Sequence, residues 1–222
     1  MAFGKLVSLQ HGALCGLRNM VALVFLTLPA VVVAQDKTLI AFGDSLTQGY
    51  GLPQADGFVP QLESWLLDQG QSVRVVNAGV SGDTTAGGAA RIAWTLAEPA
   101  DLVVVALGGN DVLRGLDPDQ ARMNLTMILE AVTATNTPAM LVGMRAPGNY
   151  GEDYKSRFEA IYPDLAAQYD IPLYPFFLQA LEGDQPTDIL QFLQPDGLHP
   201  SAIGVGMIVD DMGPSVLAAL GG

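Results

Sequence analysis

From residue 38 onward, short apolar runs alternate with longer amphipathic stretches, and this alternation constrains the fold more than any other feature of the chain. Residues 39–42, 73–76, 102–107 and 139–142 are four to six residues each, mainly aliphatic or β-branched, and read as buried strands. Residues 58–67, 86–96, 118–135 and 154–169 read as helices, the third opening with Asp117 as N-cap and Pro118 at the first helical position. Strand and helix alternate, so the expected architecture is α/β: a three-layer αβα sandwich around a parallel central sheet. No repeat, charge run or long linker divides residues 35–222, which read as one domain. Two irregular stretches, 144–151 and 182–188, are placed to border a site.

The first 34 residues have a different character. Lys5 and Arg18 precede an apolar run over 21–28, which is followed by Pro29 and the small-residue exit Val32-Val33-Ala34, the pattern of a secretory signal. The competing reading is a retained anchor, but residues 20–34 are interrupted by Pro29 and fall short of the ~20 residues a spanning helix needs. Cys15 precedes the apolar run instead of following it, so lipid attachment is set aside. The expectation is an exported protein, periplasmic or secreted, that begins at Gln35.

Charge and residue counts then exclude whole classes. The formal charge of −13 becomes −15 without Lys5 and Arg18, which rules against nucleic acid as a partner. His11 and Cys15 lie in the leader, leaving His199 as the single histidine and no cysteine beyond it. Zinc sites use Cys and His in sets, so no metal site is expected. No Gly-x-Gly-x-x-Gly run and no Gly-Lys-Ser or Gly-Lys-Thr is present, so no cofactor is expected either. Asn124-Leu125-Thr126 matches a glycosylation sequon but falls inside a predicted helix and is discarded.

Ligands in open α/β sheets collect beyond the carboxyl ends of the strands. The segments that follow the predicted strands are Gly43-Asp44-Ser45-Leu46, then Asn77 to Thr84 with Ser81-Gly82-Asp83-Thr84 at its end, then Gly108-Gly109-Asn110-Asp111. Near the end of the chain, Asp196-Gly197-Leu198-His199-Pro200 sets the remaining histidine three residues after a carboxylate. These parts suffice for nucleophilic acyl transfer: Ser45 as nucleophile, His199 as its base, Asp196 fixing the imidazole tautomer. The backbone N–H groups of Ser45 and Gly82 and the amide of Asn110 are candidate oxyanion donors. Each residue also has a plain structural reading: Ser45 as a helix cap, Asn110 as an αL turn residue, Gly82 as a positive-φ glycine, His199 as a surface side chain. The joint occurrence of the first three at successive strand ends, with His199 correctly spaced from Asp196, favours the chemical reading. Asp44 and Asp111 read as loop anchors that accept backbone N–H bonds.

These four blocks, in this order, resemble the GDSL or SGNH hydrolases, especially small bacterial arylesterases, thioesterases and lysophospholipases. The resemblance runs from Thr38 to about Ser201 and includes Leu113-Arg114-Gly115 and Asn149-Tyr150-Gly151. It implies a flavodoxin-like fold and a serine esterase acting on aryl or short- to medium-chain acyl esters, lysophospholipids or thioesters. It further implies Ser45, Asp196 and His199 as triad, Ser45, Gly82 and Asn110 as oxyanion hole, and residues 145–149 as a cleft loop. The mid-chain Gly-x-Ser-x-Gly of the α/β-hydrolases is not matched, because position 47 is Thr. A secreted non-catalytic binding protein on an esterase fold and a carbohydrate acetylesterase are the alternatives.

The expected partners are a small ester or lipid and, at most, a membrane met peripherally. Acyl-CoA gains no electrostatic steering from so acidic a chain. Phe58, Trp94, Tyr150, Phe176, Phe177 and Phe192 are candidates for an acyl pocket, with core packing as their alternative. Activity requires neutral His199, so the rate is expected to climb with pH towards a mildly alkaline plateau.

Overall fold

The computed structural model describes residues 37–221 except Pro186; the expected leader over 1–34, with His11 and Cys15, lies outside the described residues, as does the start at Gln35. Five strands form one parallel sheet: β1 (Lys37–Gly43), β2 (Val73–Gly79), β3 (Leu102–Ala106), β4 (Ala139–Val142) and β5 (Leu173–Tyr174). Their spatial order is β2-β1-β3-β4-β5. β3 and β4 are buried along their whole length, which is why these strands read as continuous apolar runs and not as alternating ones.

The helices are α1 (Ser45–Gln48), α2 (Phe58–Asp68), α3 (Thr85–Thr95), α4 (Gly109–Leu113), α5 (Pro118–Ala134), α6 (Glu152–Glu159), α7 (Ile161–Tyr169) and α8 (Ala202–Ala219). Right-handed crossovers place the β1-to-β2 connection on one face and the later connections on the other. Accordingly α2 packs with α8, while α3 packs with α5. The expected three-layer αβα sandwich with flavodoxin-like strand order is the observed fold. By length and composition α8 could cross a membrane, but Val205, Ile208, Val209, Met212 and Val216 are buried, as in a core helix of this sandwich.

Two local features depart from the sequence reading. Residues 154–169 form two helices, because Pro163 has no N–H to donate to the Glu159 carbonyl and its ring crowds that turn. The fifth strand was not expected at all. It has two residues between Pro172 and Pro175, too few for a periodic signal, and prolines are tolerated there because β5 is an edge. The sequon asparagine sits in α5, where Asn124 Nδ2 donates to Thr85 Oγ1 at 3.0 Å.

The strand order reverses between β1 and β3, and this is what positions the site. Crossovers leave these neighbours towards opposite faces, so a crevice opens past their carboxyl ends. Ser45 follows β1 and Asn110 follows β3, which brings two segments 65 residues apart in the chain to the two lips of that crevice.

Candidate active site

The Ser45 turn is built by close packing. Gly43, at the end of β1, has no room for a side chain: a Cβ there would run into Thr47 Oγ1 and lie 2.7 Å from the Ala106 carbonyl oxygen. Asp44 caps α1, its Oδ1 accepting from the Leu46 N–H at 3.0 Å, so Ser45 is the first helical residue and not the cap. On the far side of the crevice, Asp196 Oδ1 accepts from the N–H groups of Leu198 at 2.9 Å and His199 at 3.1 Å. The loop is closed by Gln194 N–H donating to the His199 carbonyl at 2.7 Å, and by Gln194 Nε2 donating to the carbonyls of Tyr50 at 2.8 Å and Pro200 at 3.0 Å. Gln194 thus ties the histidine loop to the segment that follows α1.

These two anchored segments bring the three side chains into line. His199 Nε2 lies 2.8 Å from Ser45 Oγ and His199 Nδ1 lies 2.7 Å from Asp196 Oδ2. The His199 bond, followed by the two backbone N–H bonds, holds the Asp196 carboxyl down at about 2. An ionised carboxylate only accepts, so Nδ1 carries the imidazole proton and Nε2 is free to accept from the Ser45 hydroxyl. The Tyr50 ring stands 4.7 Å from the imidazole, centroid to centroid, at 39°.

Donors surround the serine. Among the described residues the N–H groups of Ser45 and Gly82 make no hydrogen bond, and both residues line the same cavity as Asn110 and His199. Gly82 has φ +83°, which a residue with a Cβ rarely adopts, and its carbonyl accepts from Arg114 Nη2 at 2.8 Å. Asn110 Nδ2 donates to the Asp83 carbonyl at 2.9 Å and lies 3.4 Å from Asp44 Oδ2.

Asp44 and Asp111 are both buried and serve as anchors. Asp111 accepts from the Thr85 N–H at 2.8 Å and from Thr85 Oγ1 at 2.6 Å; burial raises its carboxyl above the usual range. Burial likewise pushes Asp44 up to about 6, against the lowering effect of the Leu46 N–H, nearby His199 and Asn110. Folded protein therefore binds this proton more tightly than unfolded chain, whose value is near 3.8. The contribution is fully present below about 3.8 and lost as pH rises through about 6, at a cost of about 3 kcal/mol. Asp44→Asn keeps the capping oxygen and removes this slope, so the stability of the variant relative to wild type should rise between pH 4 and pH 7. Urea unfolding of both proteins at the two pH values checks this, and parallel pH profiles would contradict it.

The cavity holds about 590 Å³ and is walled by Leu46, Val112, Leu113, Met144, Phe176 and Leu178 beside the polar groups already named. Arg145 also reaches it, its guanidinium 4.6 Å over the Phe176 ring and paired with Glu182 at 2.5 Å. The irregular stretches 144–151 and 182–188 meet through this pair, and Met144, Arg145 and Pro147 border the cavity as expected.

Of the six aromatic candidates only Phe176 lines it. Phe58 and Phe177 are core residues, 5.2 Å apart centroid to centroid, and Phe192 packs against the core. Trp94 is 82% exposed in a separate groove over β2, and Tyr150 packs on Tyr154 at 5.0 Å. Tyr50, the aromatic that does face the imidazole, was missed, because it lies outside every motif in an irregular turn after α1. No group of three or more His, Cys, Asp or Glu suited to a metal occurs among the described residues.

The GDSL-like lipase/acylhydrolase family model matches residues 41–206. "Esterase TesA" of Pseudomonas aeruginosa is 40% identical over 202 residues, covering 90% of this chain and 96% of that protein. "Thioesterase 1/protease 1/lysophospholipase L1" of Escherichia coli is 41% identical over 190 residues, covering 85% and 87%. The crystal structure of AlinE4, described as an SGNH-hydrolase family esterase, superposes with a TM-score of 0.69 at 44% identity, covering 84% of this chain and 97% of that one.

Proposed function

The chain belongs to the GDSL-like lipase/acylhydrolase family and is a carboxylic ester hydrolase, and on that footing we propose that it cleaves neutral aryl and short- to medium-chain acyl esters, and lysophospholipids, through an acyl-enzyme on Ser45. One observation carries the reading: the unbroken relay from Ser45 Oγ to His199 Nε2, at 2.8 Å, and from Nδ1 to Asp196 Oδ2, at 2.7 Å, inside an apolar cavity.

In the proposed sequence, Ser45 Oγ attacks the ester carbonyl as His199 Nε2 takes its proton, and the tetrahedral oxyanion accepts from the N–H groups of Ser45 and Gly82 and from the Asn110 amide, which gives up its long 3.4 Å bond to Asp44 Oδ2 and keeps the one to the Asp83 carbonyl. The imidazolium, held by ionised Asp196, gives the proton to the leaving alcohol as the C–O bond breaks. Water then attacks the acyl-enzyme with His199 again as base, releasing the acid and restoring the serine.

Substrate choice follows from the cavity and the charge. A wall of Leu, Val, Met and Phe favours an acyl chain or aryl ring over a sugar, so the carbohydrate acetylesterase reading is not favoured. Among the described residues Arg145 is the one cation on that wall, it is paired with Glu182, and the net charge of the chain is strongly negative. Polyanionic acyl-CoA therefore gains nothing from steering. The leader-like residues 1–34 support export, so the substrate is an ester of the cell envelope or its surroundings.

The test uses p-nitrophenyl butyrate, a matched acyl-CoA and a fluorophosphonate. The expected result is turnover of the aryl ester, a lower kcat/KM on the thioester, and a single phosphonyl adduct on Ser45 located by peptide mass spectrometry. Equal or better kcat/KM on acyl-CoA would overturn the substrate preference. An adduct elsewhere, or none, would overturn the mechanism.

A further inference from the structure

Behind the oxyanion donors lies a planar cation that the ester-cleaving scheme does not use. Arg91, on α3, is largely sheltered, with 20% of its side chain exposed. Its Nε donates to Asp83 Oδ2 at 2.6 Å and its Nη2 donates to the Gly43 carbonyl at 2.9 Å. The guanidinium lies 4.0 Å over the Phe42 ring, which fixes its plane. One rigid group therefore holds two turns at once. Gly43 stands two residues before Ser45, and its carbonyl also accepts from the Val80 N–H at 3.0 Å. Asp83 follows Gly82, and its own carbonyl accepts from Asn110 Nδ2 at 2.9 Å. Even the helix makes way for the carboxylate: a Cβ at Gly87 would lie 2.5 Å from Asp83 Oδ1.

We propose that Arg91 is a positioning residue that couples the nucleophile turn to the oxyanion turn, setting the distance between Ser45 and the donors contributed by Gly82 and Asn110. The fork of the guanidinium spans two acceptors that belong to different strand ends; a lysine ammonium, a single point of charge, reaches one of them well. Arg91 touches neither substrate nor the reacting atoms. Its effect falls on the transition state, because the spacing matters only once the carbonyl oxygen has become an oxyanion.

The inference rests on the proposed ester mechanism, and its test separates the two. Kinetics of p-nitrophenyl butyrate hydrolysis are measured for wild type, Arg91→Lys, Arg91→Ala and Asp83→Asn, with circular dichroism to count folded protein. Loss of one oxyanion donor costs about 100- to 1,000-fold, so loosening two is expected to lower kcat of Arg91→Ala by about 30- to 100-fold, with KM within about twofold of wild type. Asp83→Asn, which keeps the volume and removes the ion pair, is expected to lose about tenfold in kcat, and Arg91→Lys a similar amount. Added methylguanidinium should restore part of the kcat of Arg91→Ala and leave Arg91→Lys unchanged.

A kcat within twofold of wild type in folded Arg91→Ala would overturn the proposal. So would a rise in KM at constant kcat, or a loss in all three variants that matches the unfolded fraction and does not respond to methylguanidinium. Wild-type protein with no turnover and no Ser45 adduct would overturn the ester mechanism, and this proposal with it.

Discussion

Ser45→Ala is expected to lower kcat on p-nitrophenyl butyrate by about a million-fold, the scale seen when a serine nucleophile is removed from a relay of this kind. The fall should be in kcat, because the cavity walls that bind the acyl chain are untouched. Stability should hardly change: Asp44, not Ser45, caps α1, and alanine is a good residue for a first helical turn. Loss of the fluorophosphonate adduct in a protein with an unaltered melting temperature completes the expected result. More than 1% residual turnover in a preparation free of wild-type protein would mean that another group attacks the carbonyl.

The second large effect belongs to Asp196→Asn, expected to cost about 10,000-fold in kcat. Asparagine fills the same space, and its oxygen can still accept from the N–H groups of Leu198 and His199. Its amide nitrogen then faces His199 Nδ1 with a donor, so the imidazole proton moves to Nε2 and points at Ser45 Oγ, where an acceptor is needed. Wild-type Asp196, held near 2, stays ionised from pH 6 to pH 9, so the expected fall in rate towards acid pH does not come from titration of this carboxyl. The loss in the variant should therefore persist from pH 6 to pH 9. A kcat that returned to near wild type at high pH would show that the carboxylate acts through charge alone and not through the tautomer.

The candidate site was largely legible in the sequence because its chemistry sits in short, locally determined turns. A strand that ends in Gly-Asp-Ser can be read without knowing its neighbours, and so can an Asp three residues before a His. Three such turns follow parallel strands, which all present their carboxyl ends to the same side, and the Asp196–His199 loop before α8 meets them there. The order of the strands, by contrast, was implied by the family resemblance and not by any single run of residues.

Side-chain direction was legible only in part. All six aromatic candidates are large and apolar, yet five of them face the core, another groove or another aromatic, and Phe176 alone reaches the cavity. Periodicity reports which residues leave water, but a pocket wall and a core leave water alike. Tyr50 and Arg91 are not legible in the sequence for a different reason. Each works by meeting a partner more than 40 residues away, Tyr50 against His199 and Arg91 against Gly43, and a lone Tyr or Arg carries no local signal of that partner. The break between α6 and α7 does have a local signal, Pro163, a helix breaker inside an otherwise helical pattern.

What the sequence by itself determined was the menu of strands and helices, the polar turns at the strand ends and the scarcity of histidine that makes His199 the candidate base. Each of these follows from residue type and near-neighbour spacing, where backbone propensity and hydrogen-bonding chemistry act over a few residues. The tertiary structure decided which walls surround the serine, how Gln194 holds the histidine loop to the segment after α1, and how Arg91 bridges two strand ends. Those depend on the reversal of strand order between β1 and β3, a property of the folded sheet that brings distant turns within hydrogen-bonding range.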